Sequence, residues 1–138
     1  MATVLLDTCA AVWIGNREPI APGAMQAIRA AARTAGILVS AVTGWEIGLA
    51  TTRARHPLVL LPTAQRWLAD LLARPGFRPV PLEPEVALSA SYLPGNFHRD
   101  PADRLLIATA RELGVPLVTR DRRILDYAGQ GHVDAIAC

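Results

Sequence analysis

Short apolar runs alternate with amphipathic stretches along the whole chain. Thr3-Val4-Leu5-Leu6 is a β-prone run that ends abruptly at Asp7, and Ile37-Leu38-Val39 and Pro116-Leu117-Val118-Thr119 repeat the pattern. Runs this short, apolar at consecutive positions, predict strands buried on both faces. Phe77 to Leu82 predicts another strand, assigned to a sheet edge by its two prolines, and Val133 to Ile136 a last one. The stretches between them carry helical periodicity. Thr8 to Ile14 predicts a helix closed by Gly15-Asn16, and after a loop at Pro19 to Gly23 residues 24–34 form an alanine-rich one closed by Gly36. A third runs from Thr43 to about Arg55, where His56-Pro57 breaks it. Thr63 is the expected N-cap of a fourth, whose Trp67, Leu68, Leu71 and Leu72 make an apolar stripe. Pro84 to Leu93 predicts a short helix. Asp100-Pro101 opens the most regular one, with an Asx cap and proline at the first helical position, running to Gly114. Asp121 opens the last.

Strands that alternate with helices and are apolar on both sides imply an α/β fold, a parallel sheet covered by helices on both faces. A length of 138 residues suits one domain, residues 1–138, without staples or internal repeats. With 51% hydrophobic and 19% charged residues the chain is packed rather than disordered. No apolar stretch approaches the roughly 20 residues that span a bilayer. Met1-Ala2-Thr3 has no basic leader character and Asp7 interrupts the first apolar run, so a cytoplasmic protein with no membrane partner is expected.

The net charge of +2 says little about partners. All 14 basic residues are arginine, which fits a coding bias and equally suits bidentate phosphate binding. The absence of lysine removes P-loop nucleotide hydrolysis and Schiff-base chemistry. Cys9 and Cys138 are far apart, and His56, His98 and His132 are scattered, so neither residue type offers metal-ligand spacing.

The acidic residues carry the chemical information. In open α/β sheets, sites form beyond the carboxyl ends of strands. Asp7 directly follows the first strand, Glu46 lies early in the helix after the second, and Asp121 follows the fourth. Asp100 and Asp103 open the long helix leading into that fourth strand. Asp7, Asp100 and Asp121 are also explained as helix caps, and that alternative stays open. Asp103 is harder to dismiss, because Asp100-Pro101 already starts its helix. Glu46 sits among residues expected to be buried, where an unpaired carboxylate is costly.

The segments LLDTCAAVW, VSAVTGWEIGLA and HRDPADRLLIATARELGVPLVTRD resemble, in order, the acidic motifs of the PIN-domain family, specifically the VapC ribonucleases of bacterial toxin–antitoxin pairs. The likeness runs from residue 4 to about residue 127. It implies a PIN-like three-layer α/β/α fold with a short central parallel sheet of four to five strands. It implies a Mg²⁺-dependent endoribonuclease, with Mn²⁺ able to substitute. Carried over by position, the catalytic and metal-site acids are Asp7, Glu46, Asp103 and Asp121, with Asp100 either a further ligand or only a cap. Thr8 and Thr119 become candidates to orient those carboxylates, and Arg104 and Arg120 candidates for an RNA phosphate or an ion pair within the cluster. The implied partners are RNA, a VapB-like antitoxin and a second copy of the chain, as a homodimer or a heterotetramer or larger assembly with antitoxin. The helix at 42–50 and the Trp67 stripe are candidate antitoxin surfaces, and ordinary core packing explains them equally well. Two rivals remain: a PIN-like interaction module without catalysis, and a metal-dependent phosphatase. The phosphatase is disfavoured because Asp7-Thr8-Cys9 lacks a second aspartate two residues on.

Overall fold

The computed structural model describes residues 2–138, so Met1, part of the N-terminal segment weighed above, lies outside them. The five strands are β1 (Val4–Leu6), β2 (Ile37–Ser40), β3 (Phe77–Val80), β4 (Leu117–Thr119) and β5 (Ala135–Ala137). They form one parallel sheet in the order β3-β2-β1-β4-β5. Seven α-helices connect them: α1 (Thr8–Gly15), α2 (Pro22–Ala32), α3 (Ala41–Thr51), α4 (Ala64–Ala73), α5 (Pro84–Ser89), α6 (Pro101–Leu113) and α7 (Arg122–Gly129).

The central strands split their side chains between two cores, as period-2 geometry requires. Val4, Leu6, Ile37, Val39 and Val118 pack with Ala10, Ile28, Ile47, Trp67 and Leu71 of α1 to α4. Leu5, Leu38 and Leu117 pack on the opposite face with Leu106, Ile107, Ile124 and Tyr127 of α6 and α7. This is the three-layer arrangement expected. β3, with Pro79, lies at the sheet edge, where a missing N–H costs least.

The boundaries differ where capping overrides hydrophobic period. α2 starts at Pro22, so Pro22-Gly23 belong to its first turn rather than to a loop; proline at the first position needs no hydrogen-bond donor. α3 starts at Ala41, two residues before the expected Thr43, because Ser40 accepts the Val42 N–H at 3.0 Å and caps it. It ends at Thr51 rather than near Arg55. β3 stops at Val80, the 84–93 helix gives way to a 3-10 turn at Ala90–Tyr92, and β5 lies at 135–137 rather than 133–136. Asp100 and Pro101 open α6 as expected, and Gly114 ends it at φ 65°, a conformation that favours glycine. Gly15 is required for a different reason: a Cβ there would fall 2.2 Å from the Trp67 ring.

After β3 the chain crosses the sheet to place β4 on the other side of β1. The resulting switch point opens between the carboxyl ends of β1 and β4, where such folds form their crevice. Among the described residues, no helix is long and apolar enough to cross a membrane.

Candidate active site

Four acids meet at the switch point, each brought by a different element. Asp7 leaves β1 in extended conformation and caps α1, its Oδ1 accepting the Ala10 N–H at 2.7 Å. Its Oδ2 accepts the hydroxyl of Thr119, the last residue of the neighbouring strand β4, at 2.5 Å. Both oxygens of this buried carboxylate are thus held by uncharged donors. Glu46, in the second turn of α3, accepts the Thr8 hydroxyl through Oε1, and Thr8 lies 3.3 Å from the Thr43 hydroxyl. Asp103 comes from the first turn of α6. Asp121 caps α7 by accepting the Arg123 N–H at 2.8 Å, while its own N–H donates to Thr119 Oγ1 at 3.0 Å. All four line one cavity of about 320 Å³, together with Thr8, Cys9, Trp13 and Arg120.

The electrostatics follow from crowding anions in a half-dry crevice. Burial raises the Asp7 pKa against the lowering effect of its Thr119 and Ala10 hydrogen bonds, and the charge of Asp121 raises it further. Glu46 is raised by burial, opposed by Thr8, and raised again by Asp100 and Asp7. Asp103 is pushed up to about 7 by burial and then by the charges of Asp100, Asp121 and Glu46. Burial works to raise Asp121 too, but hydrogen bonds and charge from Arg123 outweigh it and hold its carboxyl below the usual range. Cys9, although exposed at the surface, is pushed up to about 11, by desolvation in the crevice first and then by the charges of the acids.

Cationic and neutral groups surround the acids unequally. Arg123 Nη2 lies 3.1 Å from Asp121 Oδ2 and 3.6 Å from Asp103 Oδ2, bridging the pair. His98 accepts the Asp100 N–H on Nδ1, which leaves the proton on Nε2. That nitrogen lies 3.2 Å from Asp103 Oδ2, too poorly aligned to make a hydrogen bond. Burial, followed by the charge of Arg123, keeps the His98 pKa low. Arg104 takes neither role expected of it: its guanidinium donates to the carbonyls of Ala90, Phe97 and His98 and ties the preceding loop to α6.

All four predicted acids therefore share one pocket. Asp100 lies at the edge of the cluster: its Oδ1 accepts the Ala102 and Asp103 N–H groups, it lines an adjoining groove that includes Glu46, and its charge acts on both Glu46 and Asp103. Asp7 and Asp121 cap their helices as expected, and the same side chains also line the pocket. Among the described residues, no three His, Cys, Asp or Glu side chains close on one point in ligating geometry. Their oxygens are turned toward Thr119, Thr8 and Arg123 instead. The donor set still fits a hard divalent cation, because every acid offers carboxylate oxygen and the one thiol present stays protonated. His98, Arg123 and Trp13 were not legible as site residues; only the position of His98, two residues before Asp100, hinted at its role.

The family model for the PIN domain matches residues 4–130, nearly the whole chain and all four acids. The chain is a PIN domain of the VapC family. It is 40% identical over 129 residues to Ribonuclease VapC22 of Mycobacterium tuberculosis, covering 92% of this chain and 93% of that one. The PIN fold is shared with solved structures at lower identity. VapBC2 from Rickettsia felis, bound to a DNA fragment from its promoter, superposes with a TM-score of 0.69 at 15% identity, covering 98% of both chains. FitAcB from Neisseria gonorrhoeae gives 0.61 at 21% identity, covering 97% of this chain and 96% of that one.

Of the two surfaces expected to meet a partner, this VapC-family chain buries one. Trp67 and Leu71 belong to the core, and the Trp67 Nε1–H donates to Asn16 Oδ1 at 2.9 Å. On α3, by contrast, Trp45 is 54% and Leu49 50% exposed. They line a groove of about 450 Å³ with Ala50, Arg53 and Pro101, and it shares Thr8, Cys9 and Glu46 with the acidic cavity.

Proposed function

We propose that the protein is a Mg²⁺-dependent endoribonuclease, with Mn²⁺ able to substitute, acting as the toxin of a VapBC-type pair in the cytoplasm. The observation that carries this is the convergence of Asp7, Glu46, Asp103 and Asp121 on one cavity at the sheet's switch point. Crowding four acids, Asp7 buried and the other three half-buried, is unfavourable beyond what Arg123 offsets, and a bound cation would neutralise them. A divalent cation held by these oxygens supplies charge neutralisation at a phosphodiester and acidifies water for attack on it.

The chain's own residues set the conditions for that chemistry. Asp7, Glu46 and Asp103 hold the cation, and Asp121 positions water or a second ion. Thr119 and Thr8 fix the rotamers of Asp7 and Glu46 in advance, which lowers the cost of assembling the site. Asp103, with a pKa of about 7, gives up a proton when the cation is bound near neutral pH. Asp100 caps the helix that carries Asp103 through Oδ1, and its remaining oxygen adds to the negative field that a cation would meet. The groove beside Trp45 and Leu49 takes an apolar segment of the antitoxin, and a homodimer, alone or within a larger toxin–antitoxin assembly, completes the picture.

The test is incubation of purified protein with total RNA in Mg²⁺, Mn²⁺ or EDTA. Cutting in both metals and none in EDTA is expected. Inert protein in both metals, on several RNAs that include structured and single-stranded substrates, contradicts the proposal and favours an interaction module.

A further inference from the structure

The acidic pocket has one cationic wall. The Arg120 guanidinium carbon lies 3.7 Å from the centroid of the Trp13 ring, and Arg120 Nη2 donates to the main-chain oxygen of Cys138 at 2.9 Å. The side chain is therefore held flat on one face and anchored at one edge, while both Arg120 and Trp13 line the cavity of the four acids. Its neighbours are committed elsewhere: Arg104 to three carbonyls, and Arg123 to Asp121 and Asp103. Among the described residues Arg120 pairs with no Asp or Glu side chain, although four acids share its pocket. A guanidinium has five N–H donors, so most of those on Arg120 remain for another acceptor.

An RNA entering this pocket meets repulsion from the carboxylates. A guanidinium stacked on indole has already lost its side-chain freedom, is weakly hydrated, and matches a phosphate bidentately. We propose that Arg120, held by Trp13, is a phosphate-binding subsite that takes one backbone phosphate of RNA next to the reacting one. This rests on the ribonuclease assignment above. It makes Arg120 a substrate-binding residue and Trp13 a positioning residue.

The test is the salt dependence of RNA binding. Anisotropy of a labelled single-stranded RNA is followed with Ca²⁺ in place of Mg²⁺, from about 50 to about 200 mM salt. Wild type is compared with Arg120→Gln, Arg120→Lys and Arg33→Gln, the last removing an exposed arginine just after α2, at the opposite end of the sheet. Loss of one phosphate contact lowers the slope of log K against log salt by about 0.7 and weakens binding about fivefold at 0.1 M salt. Arg120→Gln is expected to show both changes, Arg120→Lys to recover the slope, and Arg33→Gln to run parallel to wild type. Trp13→Phe, which keeps an aromatic face, is expected to weaken binding less than Arg120→Gln. If wild type cuts RNA but Arg120→Gln runs parallel to it, the subsite is overturned and the ribonuclease assignment stands. If Arg33→Gln lowers the slope as much as Arg120→Gln, the effect is one of overall charge and the subsite is again overturned. If wild type neither binds nor cuts RNA, the assignment fails and the subsite with it.

Discussion

The two halves of the acidic site are neutralised in different ways. Asp7 and Glu46 are held by hydroxyls and a main-chain N–H, all uncharged, from elements fixed by the cores. Asp103 and Asp121 share a single cation, Arg123, which stands on the exposed first turn of α7. Hydroxyls orient a carboxylate without cancelling its charge, so the first half is rigid and, among the described residues, without an ion pair, although the charge of Arg120 acts to lower the Asp7 pKa. Arg123 cancels charge but can swing away, so the second half is adjustable. A site that must accept a cation benefits from both: fixed ligands that define its place, and others that turn when the ion arrives.

Removing a fixed ligand should break the site most completely. Asp7→Ala is expected to lower RNA cleavage by about 10³-fold, the scale seen when a group that stabilises transition-state charge is lost. Single-turnover cleavage measures it, and a loss below tenfold would make Asp7 only a helix cap.

Asp103→Asn separates function from stability. Its folded pKa of about 7 lies above the ordinary 3.8, so between those values the folded state binds more protons than the unfolded one. Stability in EDTA must therefore fall as pH rises from about 4 to about 7, and the penalty is complete above that window. The variant should lose cleavage, melt higher than wild type in EDTA at pH 8, and flatten the pH dependence. Melting curves at several pH values check this, and a destabilised variant would mean that Arg123 and His98 already compensate Asp103. Saturating Mn²⁺ should recover stability in wild type, by about 2.7 kcal/mol at a hundredfold excess over Kd.

Thr119→Val tests the rigid half more gently. It removes the donor to Asp7 and the acceptor for the Asp121 N–H. A drop of about 10- to 100-fold in metal affinity is expected, the usual scale for such supporting bonds. The smallest effect belongs to Arg123→Gln. Deleting the internal cation should tighten Mn²⁺ binding a few-fold, and unchanged affinity would show that Arg123 does not compete for the acids.

The strands and the strand-end acids were legible because both obey simple rules. A short apolar run bounded by turn signals reads as a buried strand, and the acids just beyond its carboxyl end, Asp7 after β1 and Asp121 two residues after β4, fall at the crevice. Glu46 stands out because its stretch reads as buried, which holds for Thr43 and Ile47 but not for the adjacent Trp45, 54% exposed. What stayed hidden depended on contacts distant in sequence. Nothing near Trp13 announces that it will stack on Arg120, and Trp67 looked as available as Trp45 until the glycine at position 15 made room for its ring. Arg104 was misjudged for the same reason: proximity to Asp103 in sequence says nothing of the carbonyls at 90, 97 and 98 that capture it.

Titration of the protein with Mn²⁺ by calorimetry, beside Asp7→Ala and Glu46→Ala, bears most directly on whether these acids form one cation site. Saturable binding by wild type that both variants lose is the predicted result. Binding that survives both substitutions, or no binding by wild type at millimolar Mn²⁺, would contradict it.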